Sequence, residues 1–166
     1  MVAKRIGIVV KNDNKAEKKA REIESRLKSL CVIIDIQHSK SRDIPDDLMC
    51  IIVLGGDGTF LSAARFIENR QIPLMGVKFG EVGFLAETTE ENLYEEIDLL
   101  LKDKFFIQKR TRLDIKVMRN NKQIIDVDVL NDAVINKSAL SQLTSCAVYL
   151  DSTYLTTYRA DGLIVA

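Results

Sequence analysis

The sequence predicts an α/β domain with a mostly parallel sheet, followed by the beginning of an all-β domain. Short, wholly apolar runs alternate with helix-period segments up to residue 104, a pattern typical of buried strands covered by helices on both faces. After residue 104, apolar residues alternate with polar ones and no helical period appears. We therefore expect two domains, at residues 1–104 and 105–166.

Composition excludes several classes of protein. The 166 residues carry 24 Lys+Arg and 24 Asp+Glu with 46% hydrophobic residues, so neither disorder nor a strongly basic nucleic-acid-binding surface is indicated. No segment approaches the ~20 apolar residues of a membrane span, and no export signal is visible. Three widely spaced cysteines, at 31, 50 and 146, form no CxxC pair and indicate reduced, buried thiols in a cytoplasmic protein.

The first half is predicted to alternate strands with helices. Apolar runs at 5–10, 31–36, 50–54 and 74–77 predict four strands. Apolar residues at steps of three and four between positions 16 and 30 predict an amphipathic helix, for which residues 12–14 offer capping side chains. Further helices are predicted at 60–67 and 88–102, the second with Thr88 and Glu91 spaced as a capping box.

The second half is predicted to form antiparallel hairpins. Leu113, Ile115 and Val117 alternate with polar residues, and a matching alternation over 125–129 follows the turn residues 120–121. Residues 147–150 and 154–158 flank a second turn in the same style. The run at 163–166 stops in mid-pattern, and about 60 residues are few for a closed β domain. We expect these strands to belong to a larger β domain.

The segment with the strongest chemical signal is 54–59, LGGDGT. It follows a predicted buried strand and precedes a helix, so it lies at the carboxyl edge of the sheet, where open α/β sheets bind ligands. Glycines allow close approach of a ligand, and backbone N–H groups at a helix start attract phosphate. Asp57 amid them suggests a proton acceptor for a hydroxyl, or a carboxylate that holds magnesium between phosphates. The simpler alternative is a glycine-rich turn with an Asp cap.

This segment resembles the GGDGT motif shared by NAD kinases, by lipid kinases of the diacylglycerol and sphingosine type, and by phosphofructokinases. Three further segments narrow the resemblance. Residues 76–87 (GVKFGEVGFLAE) are similar to the Gly-x-x-Gly-Phe-Leu segment of NAD kinases, and 131–134 (NDAV) to their Asn-Glu motif, with Asp in place of Glu. Residues 158–166 (YRADGLIVA) are similar to their Asp-Gly segment. The four motifs occur in the same order as in NAD kinases. The chain therefore resembles the NAD kinase family over essentially its whole length.

The resemblance implies a reaction and a fold. ATP, or in some members inorganic polyphosphate, phosphorylates the adenosine-ribose 2′-hydroxyl of NAD to give NADP, with Mg²⁺ as the expected metal. The fold would be a Rossmann-like, nucleotide-binding α/β domain followed by a β domain, with the substrate in the crevice between them. Family members assemble as homodimers or tetramers. Neither nucleic acid nor a membrane is an expected partner.

The resemblance also implies site residues. Asp57 matches the proposed proton acceptor, and no metal ligand is assigned. The remaining matches are nucleotide-binding positions: the turn residues Gly55, Gly56, Gly58 and Thr59, the apolar wall Phe84 near the adenine, the polar pair Asn131 and Asp132, and the charged residues Arg159 and Asp161, some of whose contacts cross a subunit boundary.

Each assignment has a purely structural alternative. Asn131-Asp132 could end a strand as a simple turn, Phe84 and Leu85 could be core residues, and Arg159 and Asp161 could form a surface ion pair. The chain as a whole could be a non-catalytic NAD-binding or assembly fragment or, less favoured, a lipid kinase with the same turn.

Three departures from the family pattern bear on activity. Lys78-Phe79 stands where many members have Asn and an apolar residue, and the Asp132 side chain is one methylene shorter than Glu. The family's Thr-Pro-Thr-Gly-Ser-Thr-Ala-Tyr loop would begin at residue 167. Because that loop should supply contacts to the dinucleotide, we expect this 166-residue form to have weak activity or none.

Overall fold

The computed structural model describes residues 5–79, 83–137 and 143–166. The chain divides into two compact units, residues 1–110 and 111–166, which are described separately. The boundary predicted at residue 104 falls within the last residues of the first unit. No helix among the described residues is long and apolar enough to cross a membrane.

The first unit is built on a five-stranded parallel sheet with the order β2-β1-β3-β4-β5. The strands are β1 Arg5–Val10, β2 Cys31–Ile34, β3 Leu48–Leu54, β4 Leu74–Lys78 and β5 Thr88–Thr89. The helices are α1 Asn14–Leu27, α2 Asp57–Phe66 and α3 Leu93–Leu101, with short 3-10 turns at Lys28–Leu30 and Ser41–Asp43. The predicted Rossmann-like α/β class is confirmed.

Both faces of the sheet are buried, as the unbroken apolar runs predicted. Successive residues of a strand point to opposite faces, so Ile8 packs under α1 and α3 whereas Val9 packs under α2. The same division holds in β3 between Ile52 and Ile51. The result is two apolar layers that hold the carboxyl ends of β1, β3 and β4 side by side at one edge.

The predicted N-terminal cap of α1 is found at Asp13. Its Oδ1 accepts the Ala16 N–H at 2.9 Å, which satisfies one of the free donors of the first turn. The predicted apolar stripe is buried as far as Leu27, and Leu30 lies beyond the helix in the 3-10 turn.

The helix predicted at 88–102 is wrong in its first turn. Thr88 and Thr89 form β5, which pairs with Val77 and Lys78 at the edge of the sheet, and α3 begins only at Leu93. The predicted Thr88–Glu91 capping box is therefore absent. Thr88 and Thr89 are β-branched and lie beside the otherwise unpaired edge of β4, where they form backbone hydrogen bonds with that strand. This pairing is more favourable than the local helix cap that the sequence pattern predicts.

The second unit consists of antiparallel pairs, as predicted. Its strands are β6 Leu113–Arg119, β7 Lys122–Val129, β8 Ala133–Asn136, β9 Thr144–Leu150, β10 Thr153–Ala160 and β11 Gly162–Val165. Hairpins join β6 to β7 and β9 to β10, and β8 pairs with β11. The predicted turn residues Asn120 and Asn121 have φ of 50° and 58°, the left-handed conformation that Asn tolerates. Neither described stretch of this unit, 111–137 or 143–166, contains a helix.

Candidate functional site

The glycine-rich turn lies where the order of the parallel sheet reverses. β3 follows β1 in space while β2 lies on the other side of β1, so the carboxyl ends of β1 and β3 form a topological switch point. Lys11 N–H donates to the Leu54 carbonyl at 2.9 Å, and Gly55 N–H donates to the Val77 carbonyl at 3.2 Å. These bonds tie the ends of three strands together directly beneath the turn.

Helix α2 begins at Asp57, three residues before the predicted start. The Gly56 carbonyl accepts the N–H groups of Thr59 at 3.0 Å and Phe60 at 3.1 Å. Gly56 itself has no side chain to cap the helix, and the acidic residue of the first turn is Asp57. The positive end of the helix dipole therefore lies beside the sheet edge with no side-chain cap from Gly56.

The three glycines of the turn have different reasons to be glycine. A Cβ on Gly55 would lie 2.5 Å from Thr59 Oγ1, so the fold itself excludes a side chain there. A Cβ on Gly56 or Gly58 would meet nothing within 4 Å among the described residues. Packing of the described residues therefore does not explain the glycines at 56 and 58, whereas the close approach of a phosphate would.

The Asp57 carboxylate accepts two backbone hydrogen bonds from a distant segment. Its Oδ2 accepts the Phe84 N–H at 2.9 Å, and its Oδ1 accepts the Leu85 N–H at 3.1 Å. These donors, Phe84 first, hold the pKa of Asp57 below its ordinary value, and the Lys78 ammonium lowers it further. Asp57 is thus an anion at neutral pH, able to accept a proton or face a metal.

Phe84 is held beside this carboxylate by its backbone while its side chain is 90% exposed. The alternative that Phe84 is a core residue is therefore wrong; Leu85 is half-buried. The interpretation of Phe84 as a wall for the adenine stays a prediction. Residues 80–82 of the same predicted segment lie outside the described residues.

The other candidate residues lie in the second unit. Asn131 and Asp132 fall between β7 and β8, where Asn131 Nδ2 donates to Asp132 Oδ2 at 2.6 Å. Arg159 is exposed near the end of β10, opposite Ser145. Asp161 forms an ion pair with Lys137 rather than with Arg159.

The second unit does not bring these two groups to one place. Asn136 pairs with Gly162 and Ala133 with Val165, so Asp132 and Asp161 flank opposite ends of the β8–β11 ladder. At the usual rise of a strand, their backbones are separated by roughly 15 Å. Asp132 and Asp161 are therefore too far apart for both carboxylates to contact one group of a ligand.

No cage built from protein side chains alone is present for a metal. Among residues 5–79, 83–137 and 143–166, no three His, Cys, Asp or Glu side chains converge on one point. Magnesium, however, is commonly bound by one or two carboxylates together with substrate phosphates. The Asp57 carboxylate beside the start of α2 fits a metal that is carried on phosphates.

Sequence reasoning treated Lys78 only as a departure from a family pattern. The structure places it at the end of β4, in the strand adjacent to the glycine-rich turn, where it stabilises the Asp57 anion. The signal that could have identified it is positional, since neighbouring parallel strands end at the same edge. A Cβ added to Gly83 would lie 3.1 Å from Asp57 Oδ1. The sequence places Gly83 in a motif but does not indicate this proximity.

Comparison of the sequence with known proteins identifies a family. The sequence pattern of the ATP-NAD kinase N-terminal domain matches residues 3–105. An NAD kinase of Desulfatibacillum aliphaticivorans is 52% identical over 147 residues, which cover 88% of this chain and 52% of that protein. An NAD kinase of Syntrophotalea carbinolica is 37% identical over 176 residues, which cover 98% of this chain and 62% of that protein.

A solved structure shares the fold. The crystal structure of yeast NADH kinase complexed with NADH matches with a TM-score of 0.78 at 20% identity, over 96% of this chain and 56% of that one. The chain spans about half the length of the curated relatives that it matches.

Proposed function

The chain belongs to the NAD kinase family, and we propose that it takes part in the transfer of a phosphoryl group from ATP to the adenosine-ribose 2′-hydroxyl of NAD, giving NADP. The observation that carries the proposal is the ionised Asp57 at the open start of α2, between two glycines that packing does not require. Inorganic polyphosphate is the alternative donor within the same proposal.

Asp57 is proposed as the proton acceptor. As the ribose oxygen forms its bond to the γ-phosphorus and the bond from that phosphorus to ADP breaks, the hydroxyl proton passes to a carboxylate oxygen. A placed base of this kind typically contributes about 10²–10⁴-fold to the rate. Each oxygen of Asp57 accepts one N–H and keeps a further lone pair, so the carboxylate can receive this proton while its backbone bonds persist.

The start of α2 is proposed to position the transferred phosphate. In phosphoryl transfer most catalysis comes from positioning and from neutralisation of charge. The positive end of the α2 dipole and the Lys78 ammonium supply positive potential at this edge. Magnesium carried on the phosphates would add neutralising charge.

The remaining predicted residues are proposed as contacts to the dinucleotide. Phe84 offers an exposed ring to the adenine, and Asn131 with Asp132 offers an amide donor and a carboxylate acceptor to a ribose. Arg159 and Asp161, remote from Asp132 along the strand ladder, are proposed to contact a different part of NAD, including contacts made across a subunit boundary. A homo-oligomeric full-length protein is part of this proposal and is tested by light scattering.

NADP formation from NAD and ATP with Mg²⁺ tests the proposal. We would assay this chain, Asp57→Asn and, as matched control, Asp151→Asn, which changes a turn residue with φ of 52° that Asn also adopts. We expect the starting chain and Asp151→Asn to form NADP at the same low rate, and Asp57→Asn to lose about 10²-fold or more of that rate.

Other outcomes distinguish the alternatives. Polyphosphate in place of ATP identifies the donor. Binding of NAD by calorimetry without turnover in any variant would contradict catalysis by this chain and support a dinucleotide-binding fragment. Equal turnover in Asp57→Asn and the starting chain would remove Asp57 from the proposed chemistry.

A further inference from the structure

The hydrogen bonds that Asp57 accepts from Phe84 and Leu85 indicate a second task for this carboxylate. We propose that Asp57 is also a positioning residue: it holds the backbone of 83–85 in place, and thereby fixes the Phe84 ring as an exposed platform for the flat base of the dinucleotide. The identity of that base rests on the proposed function, whereas the positioning of the segment by Asp57 does not.

The contact is built for a close approach of the two segments. Each carboxylate oxygen accepts one N–H, at 2.9 Å from Phe84 and 3.1 Å from Leu85, across 27 and 28 residues of sequence. A Cβ on Gly83 would lie 3.1 Å from Oδ1, so the chain passes the carboxylate closely where it has no side chain. Hydrogen bonds of this kind to a charged acceptor are stronger than those between neutral groups.

A second anchor follows immediately along the chain. Ala86 is buried, and a Cβ added to Gly76 would lie 2.8 Å from its Cα. The segment is thus fixed by a carboxylate on one side and by close packing on β4 on the other. Phe84 is bonded to the first of these anchors and lies two residues from the second.

The Phe84 side chain is the group that this arrangement leaves available. Its ring is 90% exposed, so its position depends on the backbone rather than on burial. An exposed aromatic ring on a fixed backbone suits stacking against a base, because stacking requires only the flat face of the base and no matching hydrogen bonds. Substitution of Asp57 would therefore disturb ligand binding as well as proton transfer.

Backbone hydrogen exchange tests the positioning without reference to activity. We would compare amide exchange by NMR in this chain, Asp57→Asn and Asp57→Ala. Asp13→Asn is the matched control, because Asp13 also accepts a backbone N–H, that of Ala16, at another site. The Phe84 and Leu85 amides should exchange at least about tenfold faster in Asp57→Ala, with Asp57→Asn intermediate and Asp13→Asn unchanged. Unchanged exchange in Asp57→Ala would overturn the proposal.

A double-mutant cycle tests whether the positioning acts through the ring. Gly83→Ala, which crowds Asp57 Oδ1 but keeps the carboxylate, should raise the KM and the calorimetric Kd for NAD at least about fivefold. In a Phe84→Ala background the same substitution should have no further effect. An undiminished effect without the ring would overturn the platform.

The two tests separate the inference from the function on which it rests. Exchange that depends on Asp57, in a chain that fails to bind NAD, would overturn the proposed function while the positioning of Phe84 stands. Exchange independent of Asp57, in a chain that makes NADP, would do the reverse.

Discussion

The Asp57 carboxylate makes the stability of the chain depend on pH through the candidate site. Its pKa lies below the unfolded value because Phe84 and Leu85 donate to it and Lys78 is near. A carboxylate whose pKa is lower in the folded than in the unfolded chain stabilises the fold. This stability is fully present at pH values above the unfolded pKa and is lost as the pH falls through the folded pKa. Asp57→Asn should therefore be less stable than the starting chain at pH 7, with the gap closing below about pH 4.

Urea unfolding at a series of pH values measures this gap. Asp151→Asn is the control, since its turn keeps the same conformation. A stability difference for Asp57→Asn that is constant from pH 7 downwards would contradict the hydrogen-bonded carboxylate.

The three cysteines should differ in reactivity. Burial raises the pKa of the Cys50 thiol to about 12 and that of Cys31 to about 11, while Cys146 is half-exposed on β9. Because the thiolate is the nucleophile, a rise of three pKa units lowers its fraction about a thousandfold at pH 8. A short pulse of iodoacetamide, read by peptide mass spectrometry, should label Cys146 first and Cys50 last.

The same pulse in denaturant is the control for this labelling, because all three thiols should then react at similar rates. Rapid labelling of Cys50 in the folded chain would contradict its burial in β3.

Residue types predicted the candidate site only in part. Asp57 could be identified because glycines at fixed spacing around a carboxylate are visible in sequence. Its bonding partners could not, since any residue supplies a backbone N–H and only the fold brings 84 and 85 to it. Asp161 was predicted as a ligand contact, yet its pairing with Lys137 depends on the β8–β11 register.

At the scale of single elements, two glycines should respond oppositely to alanine. A Cβ on Gly76 in β4 would lie 2.8 Å from Ala86 Cα and 3.0 Å from the Phe60 ring, so Gly76→Ala should cost about 1–3 kcal/mol. Gly58 is the second residue of α2 with open space around it, so Gly58→Ala should gain about 0.5–1 kcal/mol. Urea denaturation measures both changes.

Ligand binding and activity show whether the glycine at position 58 is required for function. If glycine at 58 serves ligand approach, Gly58→Ala should be more stable yet bind NAD or ATP more weakly. A variant that is more stable and fully active would show that residue 58 need not be glycine for the reaction.

Elements were predicted well where one physical signal dominated. The unbroken apolar strands, the stripe of α1 and the Asn120-Asn121 hairpin each follow from burial or turn chemistry alone. The prediction for 88–102 was wrong in the first turn because Thr88 can either cap a helix or pair with Val77 at the sheet edge, and it pairs with Val77. The second option depends on where β4 ends in space, which local pattern does not encode.

Across the whole molecule, burial is concentrated in the first unit. Every fully buried apolar side chain among the described residues lies between Ile6 and Leu100. Within 111–137 and 143–166 no residue is fully buried, and most of the large exposed apolar side chains of the described chain lie there. Cooperative stability should therefore come chiefly from the parallel sheet and its helices.

Native-state hydrogen exchange should show this division directly. Amides of β1, β3 and β4 lie between two buried layers and should open only by global unfolding of their unit. Amides of the hairpins β6–β7 and β9–β10 are covered by half-exposed side chains and should exchange at least about a hundredfold faster. Low denaturant should accelerate the sheet amides much more than the hairpin amides, because only global opening exposes a large surface. Equal protection and equal denaturant dependence in both units would show that the second unit draws stability from a source other than burial of its own side chains.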